Sequence, residues 1–285
     1  MTFIWRSLFW IGKTIKRVKS RWQHRILAVM LLFSLWLPTQ PAWAITEAEI
    51  EVGEALTEKA FAATEQGDFA TAEKYWSELI EKFPENPAVW SNRGNARVSQ
   101  NHIEAAIADF NQAIELAPDQ PDPYLNHGTA WEAKGDYAAA ITDYNQVLKI
   151  DPEDAYALNN RGNAEAGLGD YETALTDFRA ASRIAPEFAF AQANTALTLY
   201  QLEQESEAIQ TMRKLVRKYP MFADMRAALS AVLWVSGQQG EAESNWVAAV
   251  GVDSRYENLD WVKTIRRWPP RMVAALEKFL SLNET

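Results

Sequence analysis

The chain of 285 residues has no cysteine, and only three histidines. The first absence excludes a disulfide staple and a lipid-modified cysteine at a processing site, and it is compatible with an oxidising compartment. The second leaves little for acid–base chemistry. Beyond residue 44 the histidines are His102, in a predicted interhelical turn, and His127, on a predicted helix where it reads as a packing residue, and nothing at a fixed offset makes a nucleophile pair or triad with either. There is no phosphate-cradling glycine loop, no HExxH and no calcium loop. Glu203, Glu205 and Glu207 read as a solvated run. The chain is therefore read as non-enzymatic, with no cofactor and no metal.

Long apolar runs are also lacking. The run Ile26 to Leu37 is 12 residues, whereas a bilayer-spanning helix needs about 20. Seven basic residues (Arg6, Lys13, Lys16, Arg17, Lys19, Arg21 and Arg25) accompany it, no acid does, and Ala42-Trp43-Ala44 follows. This order of basic, apolar and small-x-small segments predicts a signal peptide over 1–44, cleavage after Ala44 and an exported, soluble remainder without an integral span. Ile4, Leu8, Ile11, Ile15, Val18 and Trp22 recur at helical spacing over 4–22. They suit a membrane-surface helix or an extended signal n-region.

Positive charge is scarce as well. Without residues 1–44, 21 basic face 38 acidic residues, a formal charge of −17, and residues 53–254 hold 15 basic and 31 acidic residues. Nucleic-acid binding needs a basic stripe, so that partner class is excluded.

What the chain has in abundance is period. Pro84, Pro118, Pro152, Pro186 and Pro220 fall 34 residues apart. If each proline is position 32 of a repeat, position 20 holds Ala72, Ala106, Ala140, Ala174 and Ala208, and position 24 holds Trp76, Phe110, Tyr144, Phe178 and Met212. Position 8 holds Gly94, Gly128, Gly162 and Ala196, with Ala60 in the first repeat. Such a pattern predicts stacked helix–turn–helix units. Two helices approach closely only where neither carries bulk, so Gly128 is expected to face Ala140, with Tyr144 filling the wider gap beside them. Gly67-Asp68, Gly135-Asp136 and Gly169-Asp170 predict a left-handed stop followed by a helix cap. The proline then breaks the second helix.

These offsets resemble the tetratricopeptide repeat (TPR) pattern, in units 53–86, 87–120, 121–154, 155–188 and 189–222. A sixth, 223–256, keeps Ala242 and Trp246 but has Ser254 in place of proline. The fifth has Leu202-Glu203-Gln204-Glu205 where a Gly-Asp turn is expected. The resemblance implies an all-α, right-handed solenoid of five to six repeats with C-terminal capping helices over 257–285. The layout of signal, array and tail is also similar to exported TPR proteins of cyanobacteria and to chloroplast-lumen relatives, which implies a periplasmic or thylakoid-lumen location.

In the tail, Arg266, Arg267 and Arg271 surround Trp268-Pro269-Pro270, and Met272, Val273, Leu276, Phe279 and Leu280 follow at helical spacing. This suits a capping helix, a docking hook, or both.

In TPR arrays the inner face of each first helix, at positions 2, 5, 6, 9, 12 and 13, grips a peptide or partner helix. Position 6 holds Asn92, Asn126, Asn160 and Asn194, and position 9 adds Asn95 and Asn163. Amides donate and accept, so this ladder suits a peptide backbone; it is equally a common way for the family to spell the helix. Tyr156, Phe190, Leu197, Tyr200 and Trp234 make the same face aromatic and apolar farther along, as anchors or as core. Lys and Arg, which clamp a terminal carboxylate in co-chaperone TPR proteins, are missing from position 2, where Ala88, Asp122, Tyr156, Phe190 and Asp224 stand. Arg93 and Arg161 at position 7 read as snorkelling structural residues. The reading is an exported scaffold for protein–protein interaction, serving assembly or maintenance of a membrane-associated photosynthetic complex, or alternatively a chaperone or holdase for exported clients.

Overall fold

A computed structural model describes residues 46–281, so the signal segment, its cleavage point and the 4–22 stretch lie outside the described residues. Within them the chain forms helices and no strand. It divides into two compact units between Pro118 and Asp119. The first unit contains α1 (Glu47–Glu65), α2 (Phe69–Lys82), α3 (Pro87–Ser99) and α4 (Ile103–Leu116). The second contains α5 (Pro121–Lys134), α6 (Tyr137–Ile150), α7 (Ala155–Leu168), α8 (Tyr171–Ile184), α9 (Ala189–Gln201), α10 (Glu205–Lys218), α11 (Ala223–Val235) and α12 (Gln239–Val252). A 3₁₀ turn (Ser254–Glu257), the short α13 (Leu259–Trp261) running into a π turn (Val262–Arg266), and α14 (Pro270–Leu280) complete it.

Local chemistry sets the helix ends. Thr46 and Glu49 form a reciprocal capping box on α1, while Pro87 and Pro121 occupy the first turns of α3 and α5, where a missing N–H costs nothing. Gly67, Gly135 and Gly169 take φ of 76°, 87° and 87°, and Asp68, Asp136 and Asp170 each accept a backbone N–H from the following first turn. Repeats 2 and 5 make the same turn without glycine, because Asn101 and Glu203 adopt φ of 63°. For a non-glycine residue this left-handed geometry costs on the order of 1–2 kcal/mol.

Each second helix stops two residues before its proline, at Lys82, Leu116, Ile150, Ile184 and Lys218. The residue before a proline is pushed out of helical geometry, and Phe83, Ala117, Asp151, Ala185 and Tyr219 all are. α12 ends at the equivalent Val252 although Ser254 stands in the proline position; there Asp253 is extended and accepts the Arg255 N–H. The side chains of Trp90, Gln192 and Arg226 donate back to the carbonyls of Pro84, Pro186 and Pro220 at 2.7, 2.7 and 2.6 Å. In these three linkers the bond ties the proline turn to the helix that follows.

The packing at the glycines differs from the expected register. A Cβ on Gly128 would lie 2.7 Å from the Tyr144 ring, and at Gly94 and Gly162 it would lie 2.6 and 2.7 Å from Phe110 and Phe178. The glycine therefore makes room for the aromatic ring of position 24 itself, rather than for Ala140. A flat ring laid against bare backbone fills that space more completely than a methyl group would.

The first unit centres on Leu56, Trp76, Leu79 and Val89. In the second, a large cluster joins Leu199, Met212, Met225, Leu229 and Leu233 to Met272, Leu276 and Phe279 of α14. The last helix thus covers the first helices of repeats 5 and 6, α9 and α11. Burying each large side chain there stabilises by roughly 1.5–3 kcal/mol.

Candidate functional site

The predicted inner-face residues lie on α3 in the first unit and on α5, α7, α9 and α11 in the second. In the first unit Asn92 and Asn95 are partly buried on α3. In the second, Asn126, Asn160, Asn163 and Asn194 are also partly buried, and three of them join a connected amide network. Asn194 Nδ2 donates to Asn163 Oδ1 and to Asn159 Oδ1, both at 3.0 Å, and Asn159 Nδ2 donates to Asn160 Oδ1 at 3.3 Å. Asn159, at position 5, is buried and is the hub that the spacing argument passed over. Its signal was the doublet Asn159-Asn160, of which only the second member follows the 34-residue period.

The aromatic residues divide into two groups. Tyr156 is 40% exposed and its ring lies 4.8 Å from that of Phe188; Phe190 is partly buried, edge-on to Phe222 at 5.5 Å. Tyr200 and Trp234, expected on the same face as anchors or as core, are engaged by the chain itself. Arg271 lies over the Tyr200 ring at 4.7 Å, and Phe279 packs edge-on against Trp234 at 5.3 Å. Leu197 is buried.

The tail accounts for this. Asp224, at position 2 of repeat 6 and 4% exposed, accepts from Tyr256 Oη (2.8 Å), Trp268 Nε1 (2.9 Å) and Arg266 through both Nε and a terminal nitrogen. Arg266 is therefore a buried structural partner and not a docking hook. Its guanidinium is held even more firmly protonated by Asp224, against the opposing effect of burial, and burial first, then Asp224, pushes the Tyr256 phenol up. Arg267, with φ of 52°, donates to Glu132 Oε1 of α5 at 3.0 Å. Arg271 donates to the Tyr200 carbonyl and to Glu205, and its backbone N–H reaches Gln201 Oε1.

The carboxylates of the second unit carry the electrostatics. Burial raises the Glu132 carboxyl above the usual range although Arg267 works against it, and burial followed by Asp154 raises that of Asp122. Among the described residues no group of three or more acidic or histidine side chains is placed to hold a metal ion, and no helix is long and apolar enough to cross a membrane.

Tetratricopeptide repeat profiles match residues 57–121, 155–188 and 191–220, and a TPR repeat profile matches 128–169. The chain is a tetratricopeptide repeat protein. Among solved structures, a TPR protein from Parabacteroides merdae is 19% identical, with 82% of this chain and 100% of that one covered and a TM-score of 0.61. MamA from Desulfovibrio magneticus is 17% identical over 61% of this chain and 96% of its own, with a TM-score of 0.54. YrrB, a TPR protein with an unusual peptide-binding site, is 19% identical over 63% of this chain and 92% of its own, with a TM-score of 0.50. At these identities the likeness is one of fold. No curated protein matches the sequence.

In repeats 1 to 4 position 7 of the first helix meets position 23 of the second. Arg93 grips Asp109 through two nitrogens at 3.0 and 2.7 Å, and Arg161 grips Asp177 at 2.7 and 2.7 Å. His127 Nδ1 lies 3.0 Å from Asp143 Oδ2, and Lys59 lies over the Tyr75 ring at 5.9 Å. The arginines thus pack structurally, as expected, and His127 belongs to the same structural series. Asp109, Asp143 and Asp177, themselves 34 residues apart, were the signal for it.

Proposed function

We propose that the protein is a scaffold or adaptor that holds a segment of another protein along the inner faces of α5, α7 and α9. The single observation that carries this reading is the amide network of Asn159, Asn160, Asn163 and Asn194 lying alongside the exposed Tyr156. Amide groups bind a peptide backbone whatever its side chains, while an aromatic ring anchors one of them. In the first unit, Asn92 and Asn95 offer the same chemistry on α3. The acidic balance favours a neutral or basic partner and disfavours nucleic acid. No catalytic role is assigned.

Export, with Ile45 as the mature N-terminus, is proposed from the segment 1–44; intact mass of the protein from the exported fraction checks it, and retention of 1–44 overturns it. A part in assembling a photosynthetic membrane complex in the periplasm or thylakoid lumen rests on the layout of signal, array and tail. A holdase reading is favoured by Tyr156 and Phe190, which accept apolar side chains without regard to order. Salt-insensitive binding of many unfolded chains would establish it over a partner of fixed stoichiometry.

The test is titration of the partner recovered by affinity capture from the exported fraction. Asn126→Ala with Asn160→Ala is expected to weaken binding roughly thirtyfold, since each lost hydrogen bond contributes on the order of 1 kcal/mol and about 1.4 kcal/mol is tenfold. Helicity by circular dichroism should stay unchanged. Equal affinity of wild type and variant would remove the amide face from the function.

A further inference from the structure

The tail segment 266–271, Arg-Arg-Trp-Pro-Pro-Arg, contacts Glu132, Tyr200, Gln201 and Asp224 of first helices and Glu205 at the start of α10. Its arginines meet acids or carbonyls of the array: Arg267 meets Glu132 at position 12 of repeat 3, and Arg271 meets Glu205 and the Tyr200 carbonyl in repeat 5. One short segment therefore reaches from repeat 5 to repeat 3 while Arg266 and Trp268 hold it to Asp224 of repeat 6. The two kinds of contact differ in burial. The Arg266–Asp224 pair is 9% and 4% exposed, whereas the Arg267–Glu132 pair is 46% and 17% and the Arg271–Glu205 pair 31% and 47%. An exposed pair such as Arg271–Glu205 contributes about 0–1 kcal/mol and is screened by salt, whereas Glu132 is largely buried, so whatever displaces the half-exposed Arg267 must bring a cation of its own. The outer contacts are thus exchangeable while the Asp224 anchor and the α14 core hold.

We infer that Glu132, Glu205 and the Tyr200 ring form a recognition site for an arginine-bearing, proline-interrupted segment of a partner protein, occupied in this chain by its own Arg267 and Arg271. Charge complementarity commits the surface to that chemistry: carboxylates of a strongly acidic array meet guanidinium groups, one of which also stacks on an aromatic face. The tethered copy acts as a competitor at high effective concentration, which a partner must displace. A raised carboxyl at Glu132 agrees with a buried acid whose single arginine does not fully offset its desolvation. The inference deepens the scaffold reading and rests on it, since Glu132 and Asn126 both stand on α5.

The probe is a labelled peptide with the sequence of residues 262–273, titrated against the full chain. Wild type is expected to bind it weakly. Arg267→Asn with Arg271→Gln, where asparagine tolerates the left-handed backbone at 267, is expected to bind at least tenfold more tightly. Adding Glu132→Gln and Glu205→Gln should abolish the gain, and a peptide with its arginines replaced by glutamine should not bind. Equal binding by wild type and the arginine variant, or equal binding of the glutamine peptide, overturns the proposal. Hydrogen exchange of the wild-type chain with millimolar peptide is independent of variant folding. Faster exchange confined to 262–269 supports displacement; unchanged exchange overturns it. If the captured partner shows asparagine-dependent binding that the arginine variant leaves unchanged, this site fails while the scaffold reading stands. Binding that ignores the asparagines fails the scaffold reading itself.

Discussion

Gly128 on α5 lies flat against Tyr144 on α6, so close that the Cβ of any other residue would sit 2.7 Å from the ring. Tyr144 is wholly buried and its hydroxyl reaches Glu132 Oε2 at 3.3 Å. Gly128→Leu is therefore expected to drive the ring off its site and to cost about 1–3 kcal/mol or more by overpacking. A surface change such as Ala138→Ser should cost less than 0.5 kcal/mol. Urea titrations of the two variants check it, and equal midpoints would refute the packing register.

The tether of repeat 4 makes a second prediction. Asp177 is 4% exposed and both its oxygens accept from Arg161, which also donates to Asn145 Oδ1 at 2.7 Å. Arg161→Ala leaves a buried, unpaired carboxylate and is expected to cost about 3 kcal/mol. Arg161→Leu with Asp177→Leu should recover much of that loss, because no charge is then left stranded. A double-mutant cycle by chemical denaturation measures the coupling. Additive losses would show that the pair does not act as a unit.

The asparagines separate into two roles. Asn194→Ala removes both donors that satisfy Asn159 and Asn163, and with Asn159 only 6% exposed an unmet acceptor costs about 1–3 kcal/mol. Thermal melting should show that loss for Asn194→Ala and a near-unchanged midpoint for Asn126→Ala, since alanine is the better helix former. A reversed order would place Asn126 in the structural framework.

Glu132 supplies the pH dependence. Burial holds its carboxyl above the ordinary range, so the folded chain binds this proton more tightly than the unfolded one. The stability it contributes is present below the unfolded carboxyl value and is lost as pH rises through the raised folded value. Glu132→Gln is expected to flatten the stability profile in that window relative to wild type, measured by denaturant unfolding at a series of pH values. Arg267→Asn should move the carboxyl further up, since Arg267 opposes the shift, and NMR titration of the glutamate reads it. An unchanged or lower value would show that Arg267 does not reach Glu132 in solution.

The 34-residue period made the helices, their glycine turns with aspartate caps and the proline-bounded linkers legible in the chain, because each follows from backbone chemistry within a few residues and recurs. The period even contained the tethers, for Arg93, His127 and Arg161 precede Asp109, Asp143 and Asp177 by the same interval. Other features were decided only in three dimensions. Asn101 and Glu203 take the left-handed turn without the glycine that marks it elsewhere. Whether Tyr200 and Trp234 anchor a partner or join the core stays open in the sequence, and α14 engages both rings through Arg271 and Phe279. The meetings of Asp224 with Arg266 and of Glu132 with Arg267 join residues far apart in a tail that repeats nothing. Local periodicity encodes which face of a helix is apolar, but which distant segment covers that face is set by the collective packing of the folded unit.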